Sequence, residues 1–482
     1  MSELCFLSAV ELAAKIKSGE VSSREVVGAH LERIEQINPV LNAFVTMNAD
    51  QAMDQAAAAD ETTARSKADG ESLPLLHGLP VGVKDLDLTA GIRTTFGSPV
   101  FADFVPKQDE LLVERYKTAG AIVLGKTNTP EFGAGSQTFN TVFGATRNPY
   151  DHSKTCGGSS GGSAVALASR MVPLASGGDL GGSLRNPGSY NNIAGFRPSP
   201  GRIPTWPATQ GWWSLSVKGP MGRTVADTAL QLTALAGPDN RAPLSNPESG
   251  FAFGKILTAE PLSVDLNTCP LAWSPDLGRY PVDPTVQQVL ESSLHFFEDL
   301  GCNVDQVTPD FTGADEAFQT LRAWKMAHEH GDTLKNHRDK LKDTVIWNIE
   351  AGLNLTGADI ARAEAQRTKL YERMIDLLTT YRFLLLPVSP VPPFSIDQPY
   401  PMEVNGTKMK TYIDWMAHCY AITLTGLPAI SIPAGFTPDG LPVGLQIVGR
   451  PNADLETLQL AHAFETLNPL WKQLPKEVES SR

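Results

Sequence analysis

Short apolar segments bounded by glycine and proline are the feature that most constrains the fold of this 482-residue chain. Each has the length of a buried strand and is too short for a buried helix. They are LPVGVKDLD, AIVLGKT, VPLASGGD, FLLLPVSP, AISIPAGF and PVGLQIVGR. Stretches of helical periodicity, such as DELLVERYKTAG and SAVALASRM, separate some of them. Strands that alternate with helices predict an α/β fold with helices on both faces of one sheet.

Two regions outside these apolar segments are more helical. Residues 1–65 contain Ser-x-x-Glu pairs that begin at Ser8 and Ser22 and have the spacing of a capping box. Residues around 280–380 are charged and periodic, so we expect a helical excursion that borders a pocket. No internal repeat divides the sequence, and we predict a single domain with its core at residues 65–455.

Charge and cysteine content exclude several classes of protein. The net charge of −13 argues against a nucleic-acid partner, because phosphate binding needs a basic surface. There is no apolar run of about 18 residues and no basic leader, so we expect neither a membrane span nor a signal peptide. The five cysteines are scattered and form no CxxC pair, which predicts a cytoplasmic protein without a zinc site.

Two short motifs match a phosphate-binding loop and a nucleophile elbow, but the residues around them do not fit either structure. GAIVLGKT, at 120–127, matches a phosphate-binding loop, but its middle residues are apolar and predict a strand that ends in Gly-Lys. GGSSG, at 157–161, matches a nucleophile elbow with Ser159 as nucleophile. An elbow needs a strand directly before it, whereas NPYDHSKTC predicts a turn.

Three further motifs belong together. VGVKD places Lys84 at the end of an apolar run, where we expect it to be partly buried, and CGGSSGGSA and GGDLGGSLRNP carry Ser159 and Ser183. Ser159 follows Lys84 by 75 residues, and Ser183 follows Ser159 by 24. In order and spacing these motifs resemble the amidase signature family, as do LGKTNTPEFG and GLPAISIPAGFTPDGLPVGLQIVGR. The resemblance covers roughly residues 65–455 and implies the amidase signature fold, a central mixed β-sheet covered by helices on both faces.

The resemblance implies a Ser–cisSer–Lys triad. Ser183 would be the nucleophile, Ser159 a bridging serine after a cis peptide bond, and Lys84 a neutral base. A serine hydroxyl is a weak nucleophile until a base takes its proton. Lysine becomes such a base when burial lowers its pKa, and a hydroxyl that both donates and accepts can pass the proton. The chemistry needs neither a metal nor a cofactor.

The resemblance also assigns supporting roles around the triad. The backbone N–H groups of an oxyanion hole would come from Leu180, Gly181, Gly182 and Ser183. Substrate would contact Gly133, Ala134 and Ser159. Supports behind these residues would be Ser160, Asp179 and Arg185. The alternative for Asp179 and Arg185 is an ordinary surface ion pair.

Several neighbouring residues have less specific interpretations. Cys156 stands where the family often has proline, and we expect a small buried thiol without a catalytic role. Ser163 is expected to begin the following helix. Core packing is the default for Trp206, Trp212 and Trp213, and the competing hypothesis is that one or more of them line an apolar pocket.

The resulting hypothesis is a hydrolase that cleaves the C–N bond of a small-molecule amide, or a related carbamate or ester, with a hydrophobic or aryl portion. The A subunit of a glutamine-dependent amidotransferase stays open as an alternative. Its glutamine site needs a base and an acid, but no basic residue lies between Lys342 and Arg362, and Trp415 and Met416 stand near the expected acid, with Asp414 close by. A catalytically idle scaffold is a further alternative. The oligomeric state is left open, and a homodimer is compatible with the sequence.

Overall fold

The computed structural model describes residues 3–258 and 264–480. The helices in these ranges are α1 (Ala9–Ser18), α2 (Ser23–Leu41), α3 (Ala49–Asp69), α4 (Leu111–Thr118), α5 (Gly161–Ala168), α6 (Arg185–Tyr190), α7 (Val225–Leu235), α8 (Pro284–Ser293), α9 (His295–Asp299), α10 (Ala314–His337), α11 (Asp343–Leu353), α12 (Gly357–Thr380), α13 (Ala417–Thr425), α14 (Asp454–Leu467) and α15 (Lys476–Ser480). The strands are β1 (Phe44–Met47), β2 (Pro80–Lys84), β3 (Ile122–Thr127), β4 (Phe139–Asn140), β5 (Gly144–Ala145), β6 (Leu174–Asp179), β7 (Ala194–Arg197), β8 (Val217–Gly222), β9 (Pro270–Trp273), β10 (Asn303–Gln306), β11 (Phe383–Pro387), β12 (Glu403–Val404), β13 (Thr407–Lys408), β14 (Ala429–Phe436) and β15 (Pro442–Val448).

One large mixed sheet organises the chain. Its 11 strands follow the order β1-β3-β2-β6-β8-β7-β14-β15-β11-β9-β10. β3, β2 and β6 are mutually parallel, as are β11, β9 and β10, and antiparallel pairs connect these two sets. Each apolar segment singled out in the sequence contains one of these strands. The predicted mixed sheet is confirmed.

Alternation along the strands divides the core between the two faces of the sheet. In β11, Phe383 and Leu385 join one hydrophobic cluster, while Leu384 and Leu386 join another. Successive side chains of a strand point to opposite faces, so both faces are covered. Side chains of α7 and α14 complete the first cluster, and side chains of α10, α12 and α13 complete the second.

The N-terminal region follows its sequence pattern with one exception. Both capping boxes are present, at the start of α1 and of α2. The strand β1, which is only four residues long, lies between α2 and α3 and pairs with β3. The prediction of helices for residues 1–65 missed this strand, because a run of four residues is too short to show a periodicity.

Strand order decides where the functional motifs meet. β2 and β6 are adjacent and parallel, so their carboxyl ends reach the same edge of the sheet.

Gly125 and Lys126 lie inside β3, so the segment that matches a phosphate-binding loop is part of a strand. Residues 280–380 contain α8 to α12 and also β10.

Candidate active site

The three residues predicted for catalysis come together at this edge of the sheet. Lys84 is the last residue of β2, and Ser183 lies in the loop that follows β6. Ser159 lies just before the first turn of α5. All three line one cavity of about 550 Å³. Residues far apart in the sequence therefore share a space that can hold a substrate.

Lys84 is buried, with 2% of the residue exposed. Its Nζ donates to Ser159 Oγ at 2.7 Å and to Ser160 Oγ at 2.9 Å. Burial lowers its pKa from 10.5 to about 7, because the ammonium form loses its hydration; nearby Asp87 opposes this shift and Lys218 adds to it. A large fraction of this lysine is therefore neutral near pH 7, as a base must be.

The turn that carries Ser159 has an unusual backbone. The peptide bond between Gly158 and Ser159 is cis. Gly157 has a φ of 73°, and a Cβ there would lie 2.5 Å from a neighbouring side-chain oxygen, so only glycine fits. Ser160 N–H donates to the carbonyl oxygen of Ser183 at 3.3 Å, which joins the two serine loops directly.

Ser163 does not begin the helix as expected. α5 begins at Gly161, and the Ser163 hydroxyl donates to the carbonyl oxygen of Ser176 at 2.8 Å. This side chain links α5 to β6 because an acceptor of the neighbouring strand lies within its reach. Its role in the structure is packing of the helix against the sheet.

Asp179 and Arg185 form a buried ion pair beneath the loop of Ser183. Neither side chain is exposed, so the surface-pair alternative is wrong. Arg185 Nε and Nη2 donate to the two carboxylate oxygens, each at 2.9 Å. Burial by itself would raise the pKa of Asp179, but the guanidinium groups of Arg185 and Arg197 hold it well below its ordinary value. The ionised carboxylate also accepts the Gly182 N–H at 2.9 Å, which fixes the loop.

Arg185 is held in turn by the C-terminal part of the chain. Nη1 donates to the Cys419 carbonyl oxygen at 3.0 Å and to Gln446 Oε1 at 2.6 Å, and Nη2 donates to Thr423 Oγ1 at 2.9 Å. Gly182 has a φ of 109°, and a Cβ there would lie 2.5 Å from Cys419 Cβ. The loop of Ser183, which the sequence predicts to be the nucleophile loop, therefore rests directly on α13.

The amide groups of this loop differ from the sequence expectation at one position. The Gly182 N–H is occupied by Asp179, so it is not open to an oxyanion in this structure. Within residues 3–258 and 264–480, no group accepts a hydrogen bond from the N–H groups of Leu180, Gly181 and Ser183. Leu180, Gly181 and Ser183 also line the cavity. Three of the four predicted donors are thus open beside Ser183.

Gly133 and Ala134, expected to contact substrate, lie next to the bridging serine. Both line the cavity. A Cβ on Gly133 would lie 3.4 Å from Ser159 Oγ, and this glycine has a φ of 69°. At Gly133 the wall of the cavity beside Ser159 is therefore backbone, without side-chain bulk.

Similar proteins identify the family of this chain. Residues 25–458 match the Amidase family. The chain belongs to this family. It is 35% identical to an acylamidase of Rhodococcus erythropolis over 478 residues, with 98% of each protein covered. It is 32% identical to the A subunit of glutamyl-tRNA(Gln) amidotransferase from Lactiplantibacillus plantarum, with 96% of this chain and 97% of the relative covered.

A solved structure supports the same assignment. A bacterial aryl acylamidase of the amidase signature enzymes superposes with a TM-score of 0.91 at 29% identity, and 100% of each chain is covered. The protein is accordingly an amidase signature enzyme that hydrolyses amides.

This amidase has a buried charge cluster beside Lys84 that sequence reasoning missed. Lys218 Nζ lies 2.5 Å from Asp87 Oδ1 and 2.7 Å from Glu110 Oε1. Asp87 Oδ2 accepts from Ser176 Oγ at 2.7 Å, and the same hydroxyl accepts the Lys84 N–H at 2.9 Å. The cluster fixes the end of β2. A second carboxylate after the lysine in VKDLD was the local signal for it.

Helix α10 forms a further wall of the amidase cavity. The sequence predicted a helical region at about 280–380 that borders a pocket, but it did not identify the residues that line it. Phe318, Arg322 and Met326 recur every four residues and line the cavity. Arg322 is 5% exposed, and it donates to Asn348 Oδ1. Its guanidinium is thus held within the protein rather than presented as an open cation.

The segment around Trp415 and Met416, where a glutamine site would need an acid, does not present a carboxylate to the catalytic cavity. Met416 lines the cavity and Trp415 is buried. Asp414 accepts the Lys410 N–H at 2.7 Å and the Thr411 N–H at 3.0 Å, and it caps its own turn. The position that faces the catalytic cavity is therefore apolar.

The tryptophans following the nucleophile loop separate into three environments. Trp213 lines the cavity, as one hypothesis held. Trp206 is half-buried beneath Arg241, whose guanidinium carbon lies 4.5 Å from the ring centroid. Trp212 is 77% exposed, so the expectation of core packing is wrong there. Cys156 is buried, and burial raises the pKa of its thiol to about 12, as expected for an unreactive cysteine.

Metal-binding clusters and membrane-spanning helices are both absent from the described ranges. Among these residues, no cluster of three or more His, Cys, Asp and Glu side chains is placed to hold a metal ion. No helix in the described part of the chain is both long and apolar enough to cross a bilayer.

Proposed function

We propose that the chain cleaves the C–N bond of small-molecule amides with a hydrophobic or aryl portion, through Lys84, Ser159 and Ser183. One observation carries the proposal. The buried Lys84 Nζ lies 2.7 Å from Ser159 Oγ, in the wall of the cavity that also contains Ser183. A neutral amine, a bridging hydroxyl and a second hydroxyl beside open amides are the parts that acyl transfer needs.

In the proposed mechanism, Ser183 Oγ attacks the substrate carbonyl carbon. Its proton passes to Ser159, whose own proton passes to neutral Lys84. The N–H groups of Leu180, Gly181 and Ser183 stabilise the oxyanion. As the C–N bond breaks, the ammonium of Lys84 returns the proton through Ser159 to the leaving amine. Water then attacks the acyl-enzyme with the same relay as base, and the carboxylic acid leaves.

The lining of the cavity supports the substrate class. Phe96, Phe132, Phe318, Met326 and Met416 all border it. These side chains favour an apolar or aromatic group by burial. The similarity to an acylamidase and an aryl acylamidase points in the same direction. Carbamates and esters present the same carbonyl to Ser183, and we include them as competing substrates.

Labelling with a serine-directed fluorophosphonate, followed by peptide mass spectrometry, tests the nucleophile. We expect modification at Ser183 and none in Ser183→Ala. Ser216, which lines the same cavity, provides the matched control, and Ser216→Ala should label normally. Absence of labelling would favour the idle scaffold. Full hydrolysis rates in both Lys84→Ala and Ser183→Ala would refute the mechanism.

A substrate panel tests the specificity. Anilides, aliphatic amides, carbamates and esters should be offered to the purified chain together with glutamine. We expect anilides to be hydrolysed fastest and glutamine to be untouched. Glutamine hydrolysis that depends on a partner protein and a tRNA would instead support the amidotransferase alternative.

A further inference from the structure

A second cavity, of about 280 Å³, lies behind the nucleophile loop. It is bordered by α10, α13, the β12–β13 hairpin and the loop before α8. Met416 faces the catalytic cavity and Cys419 contacts the nucleophile loop, whereas Ala417 and His418 border the second cavity. This volume is just below the range of about 300–1,000 Å³ typical of small-molecule sites.

His418 is the unusual residue of this cavity. It is 1% exposed, and neither ring nitrogen has a hydrogen-bond partner in the part of the chain that the structure describes. Its ring packs against Tyr280, with centroids 5.7 Å apart. Burial lowers the pKa of His418 to about 3, so the imidazole is neutral and has one unfilled donor and one unfilled acceptor. A buried polar group without a partner is destabilising, and a ligand that hydrogen-bonds to the ring would offset this cost.

The carboxylates of the second cavity are already occupied. Asp315 Oδ1 accepts from the hydroxyls of Tyr280 and Tyr420, each at 2.8 Å. Asp414 accepts two backbone N–H groups and the Thr411 hydroxyl, the latter at 2.8 Å. These two carboxylates are therefore satisfied within the protein, and they leave little to bind a cation.

Arg279, which also borders the cavity, is paired with Asp315 at 3.0 Å, whereas the two lysines at the rim have no such partner among the described residues. Lys408 and Lys410 are exposed, and across the described ranges no acidic oxygen lies within ion-pair distance of either ammonium. Val404 and Trp415 add apolar surface beside them. We propose that this cavity binds a small organic carboxylate with an aromatic or branched apolar body. The carboxylate would accept from the N–H of the His418 ring and lie toward the two lysines, and the apolar body would pack against Trp415.

Calorimetric titration with benzoate tests this proposal, and it reads binding without any turnover by Ser183. We expect saturable binding to the full chain. Lys408→Glu combined with Lys410→Glu should weaken it about tenfold or more, because charge complementarity is inverted. The pair Lys335→Glu and Lys340→Glu, also exposed lysines, is the matched control for net charge and should bind as the unmodified chain does.

Two additional measurements sharpen the test. Benzamide has the same ring without the charge and should bind about tenfold more weakly than benzoate, and His418→Leu should also reduce the affinity for benzoate. Ser183→Ala should leave benzoate binding unchanged. Benzoate that binds only in the catalytic cavity would give the same isotherm in the unmodified chain and in the Lys408/Lys410 variant. That result, or no binding at millimolar benzoate, overturns the proposal.

Discussion

Lowering the pH should inactivate the enzyme through Lys84. Burial lowers the pKa of this lysine to about 7, and in the proposed mechanism it takes the proton of Ser159 only in its neutral form. We therefore expect kcat/KM to fall about tenfold for each pH unit below this value and to be level above it. Two units lower, about one molecule in a hundred has a neutral lysine, so hydrolysis should be about 100-fold slower.

The assay is release of nitroaniline from an acyl nitroanilide between pH 5 and pH 9, at constant ionic strength and low substrate concentration. Circular dichroism at each pH shows that the protein stays folded, and Ser216→Ala should give the same profile. The rate of fluorophosphonate labelling should fall in the same way below pH 7, because in the proposed mechanism labelling also requires the proton of Ser183 to pass to neutral Lys84. A level profile from pH 5 to pH 8, or a limb near the ordinary lysine pKa, would refute the role of a buried neutral base.

The same shift predicts how stability depends on pH. The pKa of Lys84 is about 7 when folded and 10.5 when exposed. Between these values the unfolded chain binds a proton that the folded chain does not, so this residue makes the protein more stable as the pH rises. Its contribution is about 1.4 kcal/mol per pH unit in that window. Urea unfolding at several pH values should show this slope, and Lys84→Met should lack it.

Three further changes test other parts of the site. Lys218→Met removes a positive charge that helps to keep the pKa of Lys84 low, so the acid limb should move to higher pH, whereas Lys218→Arg should leave it in place. Arg185→Met deprives the buried carboxylate of Asp179 of its bidentate partner and should destabilise the protein by about 3–5 kcal/mol in urea unfolding; an unchanged midpoint would contradict this. Trp213→Ala should raise KM for anilides about tenfold and change KM for acetamide little; equal effects on both would exclude aryl contact by this ring.

The sequence was most informative where function depends on local motifs. Lys84, Ser159 and Ser183 could be placed because each lies in a short glycine-rich or apolar motif, and the separations of the motifs identify the family. The cis bond before Ser159 was expected on the same basis and is present. The strands could be located because each is a compact apolar run.

Features that depend on contacts between distant parts of the chain could not be predicted from the sequence. Lys218 reaches Asp87 because β8 pairs with β6 and puts it opposite Gly178, a pairing that no local pattern encodes. The Gly182 amide was assigned to an oxyanion, but the direction of an N–H group depends on Asp179 and the loop as folded. Exposure of Trp212 likewise follows from where its loop runs, because composition alone favours burial.

The contacts of Arg185 have a consequence for the order in which the enzyme becomes active during synthesis. Its partners Cys419, Thr423 and Gln446 are translated more than 200 residues after it. A ribosome-bound chain that already contains Lys84, Ser159 and Ser183 therefore still lacks the side chains that hold the loop of Ser183. Because domains mature as their last contacts form, hydrolytic competence should arrive only as the final strands emerge, and we expect the proposed nucleophile to stay unreactive in the growing chain.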